Sequence, residues 1–381
     1  MRLVALLVAV MACRTNSAAP PAAQPPALPS TTATVPAPPP ARPSTAAAVP
    51  APPAPGPDRA APQQRADLLA DQLRAIAAAD GTIAATVIHL PSGARASVHG
   101  DLRLPLMSVF KLPLALVTLH EIDAGRRHLD DIVPLTAREL RPGVSPVAEA
   151  WQRGDKAPRL EVLLSTVLRD SDNTSGDKLV TLGGGGAALT ERLRTMGIHD
   201  LWIAEQEIEI DARIDCPGVA APATGWTPAA IARCRPTRDA VAAAVRHEIA
   251  AAPNTSSTDA LAALLVAIDG GSLLSAPAQR WLIDTLSATR TGAARLRAGV
   301  PAGTRVAHRT GTGDTRNGVN VATNDIGLIW LPDGSRLAIA VLTAGRGGDD
   351  AARDATIAAI AHAAYAAFAT DPPVSAASNS R

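Results

Sequence analysis

Residues 82–98 read TIAATVIHLPSGARASV, two β-branched and apolar stretches separated by the turn Pro91-Ser92-Gly93. This pattern predicts two adjacent strands at the start of a globular domain. Three further strand-like stretches come near the end of the chain, at residues 305–309, 325–331 and 336–342. We therefore predict an α+β fold, in which one antiparallel sheet is formed from both chain ends of the domain.

The residues between these two groups of strands mostly have helical periodicity. The predicted helices cover residues 108–124, 160–168, 174–182, 187–196, 228–251, 258–268 and 277–288. Two more, over residues 67–79 and 349–369, flank the strands. We expect an all-helical subdomain inserted into the sheet layer, which makes the whole an α/β sandwich.

The composition of the chain excludes several classes of protein. The 381 residues contain 36 Lys and Arg against 35 Asp and Glu, so there is no basic field of the kind that nucleic acid requires. Aromatic residues make up only 2%, too few for platforms on which bases or sugars stack. After residue 12, no apolar run approaches the roughly 18 residues that span a bilayer. We predict neither a nucleic-acid partner nor a spanning helix.

Residues 1–13 resemble a bacterial lipoprotein signal. An apolar stretch ends in Val10-Met11-Ala12-Cys13, which is similar to the lipobox in which the cysteine is lipidated. Acyl chains on Cys13 would take the place of a membrane span. The interpretation is an exported protein, periplasmic or on the cell surface, that touches the membrane only through a lipid anchor. An ordinary signal peptide cleaved elsewhere, or a misassigned start, is the alternative.

Residues 14–62 are rich in Ala, Pro, Ser and Thr and hold almost half of the chain's 33 prolines. Such a segment cannot bury enough apolar surface to fold, and proline keeps it extended. We predict a disordered linker that holds a catalytic domain, residues 63–370, away from the membrane; a low-complexity tail without a spacing role is the alternative. Residues 371–381 are predicted to be a disordered tail.

The motif Ser108-Val109-Phe110-Lys111 is the first candidate for chemistry. On a helix, a spacing of three places the Lys111 amine on the same face as the Ser108 hydroxyl, and a serine nucleophile needs such a base. The N–H groups at a helix N-terminus also suit a developing oxyanion. By itself the motif is weak, because Ser-x-x-Lys occurs often by chance, and an N-cap serine followed by a solvated lysine is the favoured interpretation.

Two further motifs follow along the chain. In Ser171-Asp172-Asn173, Asp172 can cap the next helix, Ser171 can pass on a proton and Asn173 can donate to a substrate amide. The segment 308–313, His-Arg-Thr-Gly-Thr-Gly, combines a cation, hydroxyl groups and a close backbone approach, which suit a substrate carboxylate. The plain alternatives are a cluster of capping residues and a strand that ends in a glycine turn.

In this order and spacing, the three motifs resemble those of class A serine β-lactamases. The resemblance covers about residues 63–369. It is supported by Leu182-Gly183-Gly184, Met196-Gly197, Thr291-Gly292, residues 295–299 and Asn324-Asp325-Ile326-Gly327. Asp177 and the segment Gly225-Trp226-Thr227-Pro228 favour the cephalosporinase-like branch.

The resemblance implies the serine β-lactamase and DD-peptidase fold, and hydrolysis of the β-lactam ring through a serine acyl-enzyme, which confers resistance. Ser108 would attack the lactam carbonyl, and either Lys111 or Glu207 through a water would remove its proton. The N–H groups of Ser108 and Thr312 would bind the oxyanion, and Ser171 would protonate the leaving nitrogen. No metal or organic cofactor is implied, and we expect a monomer whose partner is a small-molecule β-lactam.

The deacylating glutamate is expected in an Ω-shaped loop. An ungapped count from Ser171 through Met196-Gly197 reaches Glu207, with Glu205 and Glu209 as alternatives if the loop is shifted. Glu207 would activate the water that hydrolyses the acyl-enzyme.

Substrate contacts are implied for several residues at the same site. They are Asn173, Arg309, Thr310, Gly311, Thr312, Arg295 and Asp211. Arg309 replaces the usual lysine and keeps its charge, but it cannot donate a proton. Arg295 is the candidate for binding the substrate carboxylate, and Val144 replaces an aromatic residue at the entrance. Asp211 stands where the family has Asn or His, and we expect its charge to raise the pKa of Glu207, with Lys111 opposing.

Cys216 and Cys234 are the cysteines that remain after Cys13, and in an exported protein we expect them to form a disulfide. By the resemblance, Cys216 lies in the Ω-loop and Cys234 in the next helix, which are neighbours in the family fold. Two buried free thiols are the alternative.

Two other functions fit the same motifs. A DD-peptidase or transpeptidase acting on cell-wall peptides would use them without the Ω-loop glutamate. A non-catalytic lipoprotein would bind β-lactam or muropeptide as a sensor. Rapid β-lactam turnover would exclude the sensor.

Overall fold

A five-stranded antiparallel sheet built from both ends of the domain is the centre of the structure. The computed structural model describes residues 57–79 and 81–369. The strands of the sheet are β1 (Thr82–His89), β2 (Arg95–Val98), β6 (Val306–Thr312), β9 (Thr323–Trp330) and β10 (Arg336–Ala344). Their order is β2-β1-β10-β9-β6, and Thr82 of β1 pairs with Ala344 of β10. The predicted fold class is confirmed.

Helices cover both faces of this sheet. The described α-helices are α1 (Pro57–Ala77), α2 (Lys111–Asp123), α3 (Pro146–Gln152), α4 (Leu160–Arg169), α5 (Asn173–Leu182), α6 (Gly186–Thr195), α7 (Glu207–Asp215), α8 (Pro228–Ile231), α9 (Arg238–Ala251), α10 (Thr258–Asp269), α11 (Ala276–Ser287) and α12 (Asp350–Phe368). None of these helices has both the length and the apolar character that crossing a bilayer requires.

Two apolar cores lie on opposite sides of the sheet, because successive strand residues point to opposite faces. Ile83 and Val87 of β1 pack in one core with residues of α1 and α12. Ala84 belongs to the other core, which includes residues of α2, α4, α10 and α11. Burial on both faces explains why β1 reads as a nearly continuous apolar run.

Short strands join the helical part to the sheet layer. β3 (Leu104–Pro105), β4 (Leu201–Trp202) and β5 (Thr255–Ser256) form a small sheet in the order β3-β5-β4, and β7 (Thr315–Arg316) pairs with β8 (Val319–Asn320). Strands of two residues are too short to leave an alternating pattern, so the sequence did not reveal them.

Helix α1 begins earlier than the sequence indicated. It starts at Pro57, inside the segment 14–62 that was predicted to be linker. Proline fits the first position of a helix because its missing N–H would have no intrahelical partner there. Cys13, the rest of the predicted linker and the tail 371–381 lie outside the described residues.

The predicted helix over residues 228–251 is two helices. α8 ends at Ile231, and α9 begins at Arg238 after Thr237, whose side chain accepts a hydrogen bond from Ala240 N. Pro236 lies between them, and proline disfavours a helical conformation in the residue before it. Residues 207–215, expected as part of a loop, form α7.

The structure joins Cys216 and Cys234 by a disulfide, with the Cα atoms 5.4 Å apart. Cys216 follows α7, and Cys234 lies between α8 and α9. The bridge therefore ties the segment containing α8 to the C-terminal end of α7.

We expect the full chain carrying Cys13→Ser, denatured without reductant, to show no free thiol. Opening the ring by Cys234→Ser should lower the free energy of unfolding by about 3 kcal/mol, because the bridge restricts the unfolded chain. Thiol titration and urea unfolding measure the two effects. Two titratable thiols before reduction would contradict the bridge.

Candidate active site

Ser108 lies in a 3-10 turn, Met107–Phe110, that leads directly into α2. Met107 has a φ of 44°, a left-handed conformation that side-chain-bearing residues rarely adopt, so the backbone is strained immediately before Ser108. Strand β6 lies against this turn because Gly311 has no side chain: a Cβ there would be 2.5 Å from the carbonyl oxygen of Leu106. The serine turn and the edge of the sheet are thus held side by side.

Lys111 is the first residue of α2, and its side chain is completely buried. Its Nζ lies 2.9 Å from Glu207 Oε1 and donates to Asn173 Oδ1 and, at 3.0 Å, to the Ser171 carbonyl oxygen. Burial lowers the pKa of Lys111; Glu207 raises it and Arg309 lowers it further, with a net result below the ordinary value. The ammonium group of Lys111 therefore loses its proton more readily than that of an exposed lysine.

Glu207 is the first residue of α7 and contacts both residues of the first motif. Its Oε1 accepts a hydrogen bond from Ser108 Oγ at 2.9 Å and lies at the same distance from Lys111 Nζ. Burial raises the pKa of Glu207, but the charge of Lys111 and the hydrogen bonds from Lys111 and Ser108 hold it below its ordinary value. The carboxyl group is therefore ionised at neutral pH.

The two alternative glutamates have other partners. Glu205 Oε1 accepts from Arg213, and Glu209 Oε2 accepts from the backbone N–H of Gln206 in a capping box. The structure brings Glu207, and neither Glu205 nor Glu209, against Ser108.

The N-terminus of α7 is held by Asp177 of α5. Asp177 Oδ1 accepts from Glu207 N at 2.7 Å, and Oδ2 accepts from Ile208 N at 3.3 Å. Oδ2 also accepts from Arg141 Nε, which forms a buried ion pair with it. This role was not predicted, because Arg141 and Asp177 meet only when the loop before α3 folds onto α5.

Asn254 holds the backbone immediately before α7, the helix that carries Glu207. Its Oδ1 accepts from Ala204 N at 2.7 Å and Glu205 N at 2.9 Å, and its Nδ2 donates to Glu205 O at 2.9 Å. Arg213 adds a second link, since it pairs with Glu205 and with the buried Glu248 of α9. No short motif marks these residues, so they were missed.

The second motif forms the opposite wall of the site. Asp172 caps α5 by accepting from Ser175 N at 2.8 Å. Ser171 has a φ of 64°, and its hydroxyl accepts from Arg309 Nη2 at 2.8 Å and lies 3.5 Å from Lys111 Nζ. Ser171 is thus in contact with both cations of the site.

Arg309 is completely buried on β6. Burial lowers the pKa of its guanidinium to about 10, so the group remains charged at neutral pH. Within the described part of the chain, its Nε and Nη1 find no hydrogen-bond partner. Arg309 is not among the described residues that line the cavity next to Ser171, so its charge acts on an anion there through Ser171 and across a short distance.

A cavity of about 220 Å³ collects most of the predicted residues. Its lining consists of Ser108, Val144, Ser171, Asn173, Thr291, Gly292, Arg295, Thr310 and Thr312. Thr310 Oγ1 lies 2.6 Å from Thr291 Oγ1. Serine hydroxyls, an amide and threonine hydroxyls therefore face one small space.

Arg295 lines this cavity but is already engaged by the protein. Its Nε donates to Asp354 Oδ1 at 2.7 Å, and its Nη2 donates to Thr312 Oγ1 at 2.8 Å. The guanidinium is only 7% exposed. Its clearest role in the structure is to fix Thr312 at the end of β6.

Asp211 lies one turn after Glu207 on α7 and is not among the described residues that line the cavity. Burial and the negative charges of Glu207, Asp314 and Asp215 raise the pKa of Asp211 to about 7. The net shift of the Glu207 pKa is downward, so the opposing effect of Lys111 prevails there. Lys111 and Ser108 stabilise the Glu207 anion, so the mutual repulsion falls on Asp211.

No group of three or more His, Cys, Asp or Glu side chains that could hold a metal ion is found within residues 57–79 and 81–369. The contacts around Ser108 allow nucleophilic attack by Ser108, proton transfer among Lys111, Glu207 and Ser171, and attraction of an anion by the charge of Arg309.

Comparison with known proteins gives consistent matches. A family model described as the β-lactamase enzyme family matches residues 68–368. The extended-spectrum β-lactamase PER-1 of Pseudomonas aeruginosa is 31% identical over 264 residues, which are 69% of this chain and 75% of that protein. A β-lactamase structure from Chitinophaga pinensis has a TM-score of 0.65 and 30% identity, covering 79% of this chain and 99% of the other.

A structure of an ancestral class A β-lactamase matches with a TM-score of 0.64 and 30% identity, over 79% of this chain and 100% of its own. The fold and the groups around Ser108 are those of a serine acyl-transfer enzyme. The chain belongs to the β-lactamase enzyme family and, within it, to the class A serine enzymes.

The raised pKa of Asp211 predicts a pH-dependent stability. The ordinary pKa of an aspartate is 3.8. Between pH 3.8 and about pH 7, Asp211 therefore holds a proton in the folded protein that it releases in the unfolded chain. The free energy of unfolding should therefore fall by about 2–3 kcal/mol from pH 5 to pH 8 through this group, and Asp211→Asn should lack that fall. Urea unfolding of both proteins at the two pH values measures it. Equal changes in the two proteins would count against the prediction.

Proposed function

We propose that this chain hydrolyses the β-lactam ring in two steps, acylation of Ser108 and deacylation assisted by Glu207, and so confers resistance to β-lactams. One observation carries the proposal: Ser108 Oγ and Lys111 Nζ both lie 2.9 Å from the same carboxylate oxygen, Glu207 Oε1. A nucleophile, an amine of lowered pKa and an ionised carboxylate thus meet at one point.

In the acylation step, Ser108 Oγ attacks the lactam carbonyl carbon, and the carbon–nitrogen bond of the ring breaks. The hydroxyl proton passes to Glu207, directly or through a water, or to Lys111. The hydrogen bond from Ser108 to Glu207 supports the carboxylate as the acceptor. Ser171, 3.5 Å from Lys111 Nζ, returns a proton to the leaving nitrogen.

The oxyanion that forms on the carbonyl is stabilised by the backbone N–H groups of Ser108 and Thr312. Gly311 supports this role, because its lack of a side chain lets β6 approach the serine turn. Donors fixed in this way need no reorganisation as charge develops, which is the main source of their effect.

The substrate is held along the end of β6. Its carboxylate accepts from the hydroxyls of Thr310 and Thr312 and is attracted by the buried charge of Arg309. Arg295 fixes Thr312. The Oδ1 atom of Asn173 is occupied by Lys111, so its Nδ2 is the atom that donates to the substrate amide.

Glu207 decides between hydrolysis and transpeptidation. It lies against Ser108, where it can activate the water that attacks the acyl-enzyme carbonyl. This contact favours a β-lactamase over a DD-peptidase, and a chromogenic cephalosporin and a penicillin test turnover directly.

Asp177 and the segment 225–228 support a cephalosporinase-like preference. Turnover of penicillin alone would contradict that preference.

We also propose that the protein acts as an exported monomer, anchored through a lipid on Cys13. The support for the anchor is the sequence Val10-Met11-Ala12-Cys13 and the proline-rich segment behind it.

Replacing Glu207 by glutamine should leave acylation largely intact, because Lys111 remains as an acceptor for the Ser108 proton. Deacylation should slow by a factor on the order of 10³ or more, since the amide cannot accept a proton from water. Mass spectrometry after mixing with a penicillin should then show a persistent adduct on Ser108.

Glu205→Gln and Glu209→Gln are the matched controls, because they remove the same charge from neighbouring positions that do not contact Ser108. Both should turn over penicillin without a trapped adduct. If one of them accumulates the adduct while Glu207→Gln turns over normally, the assignment of the glutamate is wrong.

Cys13→Ser should move the activity from the membrane fraction to the soluble fraction, because the variant has no thiol to acylate. Fractionation of cells expressing each form measures the distribution. An unchanged distribution would contradict the lipid anchor.

A further inference from the structure

A second cavity, with a volume of about 600 Å³, lies outside the Ser108 site. One wall is the loop of residues 137–142, and the other is the segment of residues 222–233 around α8. The two cavities share no lining residue within the described parts of the chain. Its volume falls in the range of about 300–1,000 Å³ typical of small-molecule sites.

The first wall is fixed by several contacts. Thr136 and Glu139 form a capping box, and Glu139 also pairs with Lys178 of α5. Arg141 N donates to Thr174 Oγ1, while its side chain is paired with Asp177. This loop is therefore anchored on α5 independently of the opposite wall.

Three contacts hold the second wall in place. The Cys216–Cys234 disulfide binds it to α7, next to Arg233. Thr227 caps α8 by accepting from Ala230 N. Across the cavity, Arg138 Nη2 donates to the carbonyl oxygen of Thr224 at 2.9 Å. The two walls therefore border a cavity that is open to solvent, and this hydrogen bond ties them together.

The lining combines positive charge with apolar surface. Three arginines face the cavity, Arg138, Arg141 and Arg233, and none of the described residues that line it is acidic. Arg141 is neutralised by Asp177, whereas neither Arg138 nor Arg233 has an ion-pair partner in the described segments. The apolar lining includes Leu140, Pro142, Pro222 and Pro228.

We propose that this cavity is a second binding site, separate from the Ser108 site, for a small organic anion with an apolar body. Guanidinium groups bind carboxylates and sulfonates through paired hydrogen bonds, and they discriminate against neutral ligands. The proline and leucine side chains bind the apolar part of the ligand. Arg138 and Arg233, whose charges are uncompensated, provide the affinity for the anion.

Anilinonaphthalene sulfonate is a suitable probe, with the uncharged N-phenylnaphthylamine as its matched ligand. Binding is measured by calorimetric titration of the full chain in the Glu207→Gln background. Ser108 is acylated beforehand, so that the first cavity is occupied. We expect one sulfonate site per chain and binding at least tenfold weaker in the double variant Arg138→Glu and Arg233→Glu. The control is the double variant Arg235→Glu and Arg246→Glu, which makes the same charge change at exposed positions outside the cavity.

Equal binding by the two double variants, equally tight binding of the uncharged ligand, or no saturable binding to the parent protein would each overturn the proposal. Near-UV circular dichroism reports whether each variant is folded. Should the charge-reversed protein fail to fold, Arg233→Ala replaces it, since that exposed side chain makes no hydrogen bond or ion pair in the described structure. It should weaken binding at least threefold, and unchanged binding would overturn the proposal.

Discussion

The ion pair between Lys111 and Glu207 is the interaction on which the rest of the site depends. Both side chains are almost fully removed from water, and burying an ion costs on the order of several kcal/mol unless partners replace its hydration. Here Asn173 and the Ser171 carbonyl accept from the amine, while Ser108 donates to the carboxylate. Ser108, the nucleophile, is thus one of the groups that stabilise the buried ion pair.

This dependence explains why the supporting contacts converge on α7. Glu207 can neutralise Lys111 only if the N-terminus of α7 stays in place, and Asp177 holds it by its backbone N–H groups. Asn254 holds the backbone of Ala204 and Glu205 just before the helix, and the disulfide fixes its far end. The arrangement also affects Asp211, one turn after Glu207. The carboxyl group of Asp211 retains its proton up to about pH 7.

Much of this molecule is predictable from its sequence because the signals are local. The pattern of residues 82–98 and the late strand-like stretches predict the sheet, and an ungapped count places Glu207 where the structure has it. Arg141, Asn254 and the two-residue strands were not predicted, because they act through contacts between distant segments. Pro236 is a sequence signal for the break between α8 and α9. It was missed because helical periodicity is present on both sides of it.

The pairing of β1 with β10 sets the order in which the molecule can assemble. Thr82 has its partner at Ala344, so the central pair of strands closes a loop that contains most of the domain. Contacts so distant along the chain form slowly, because the entropy of a long loop is lost before the pairing is gained. Ser108 and Thr312, which line one cavity, are also far apart along the chain. During synthesis, the cavity therefore lacks the wall formed by β6 until that strand has left the ribosome, and the chain made up to that point is inactive.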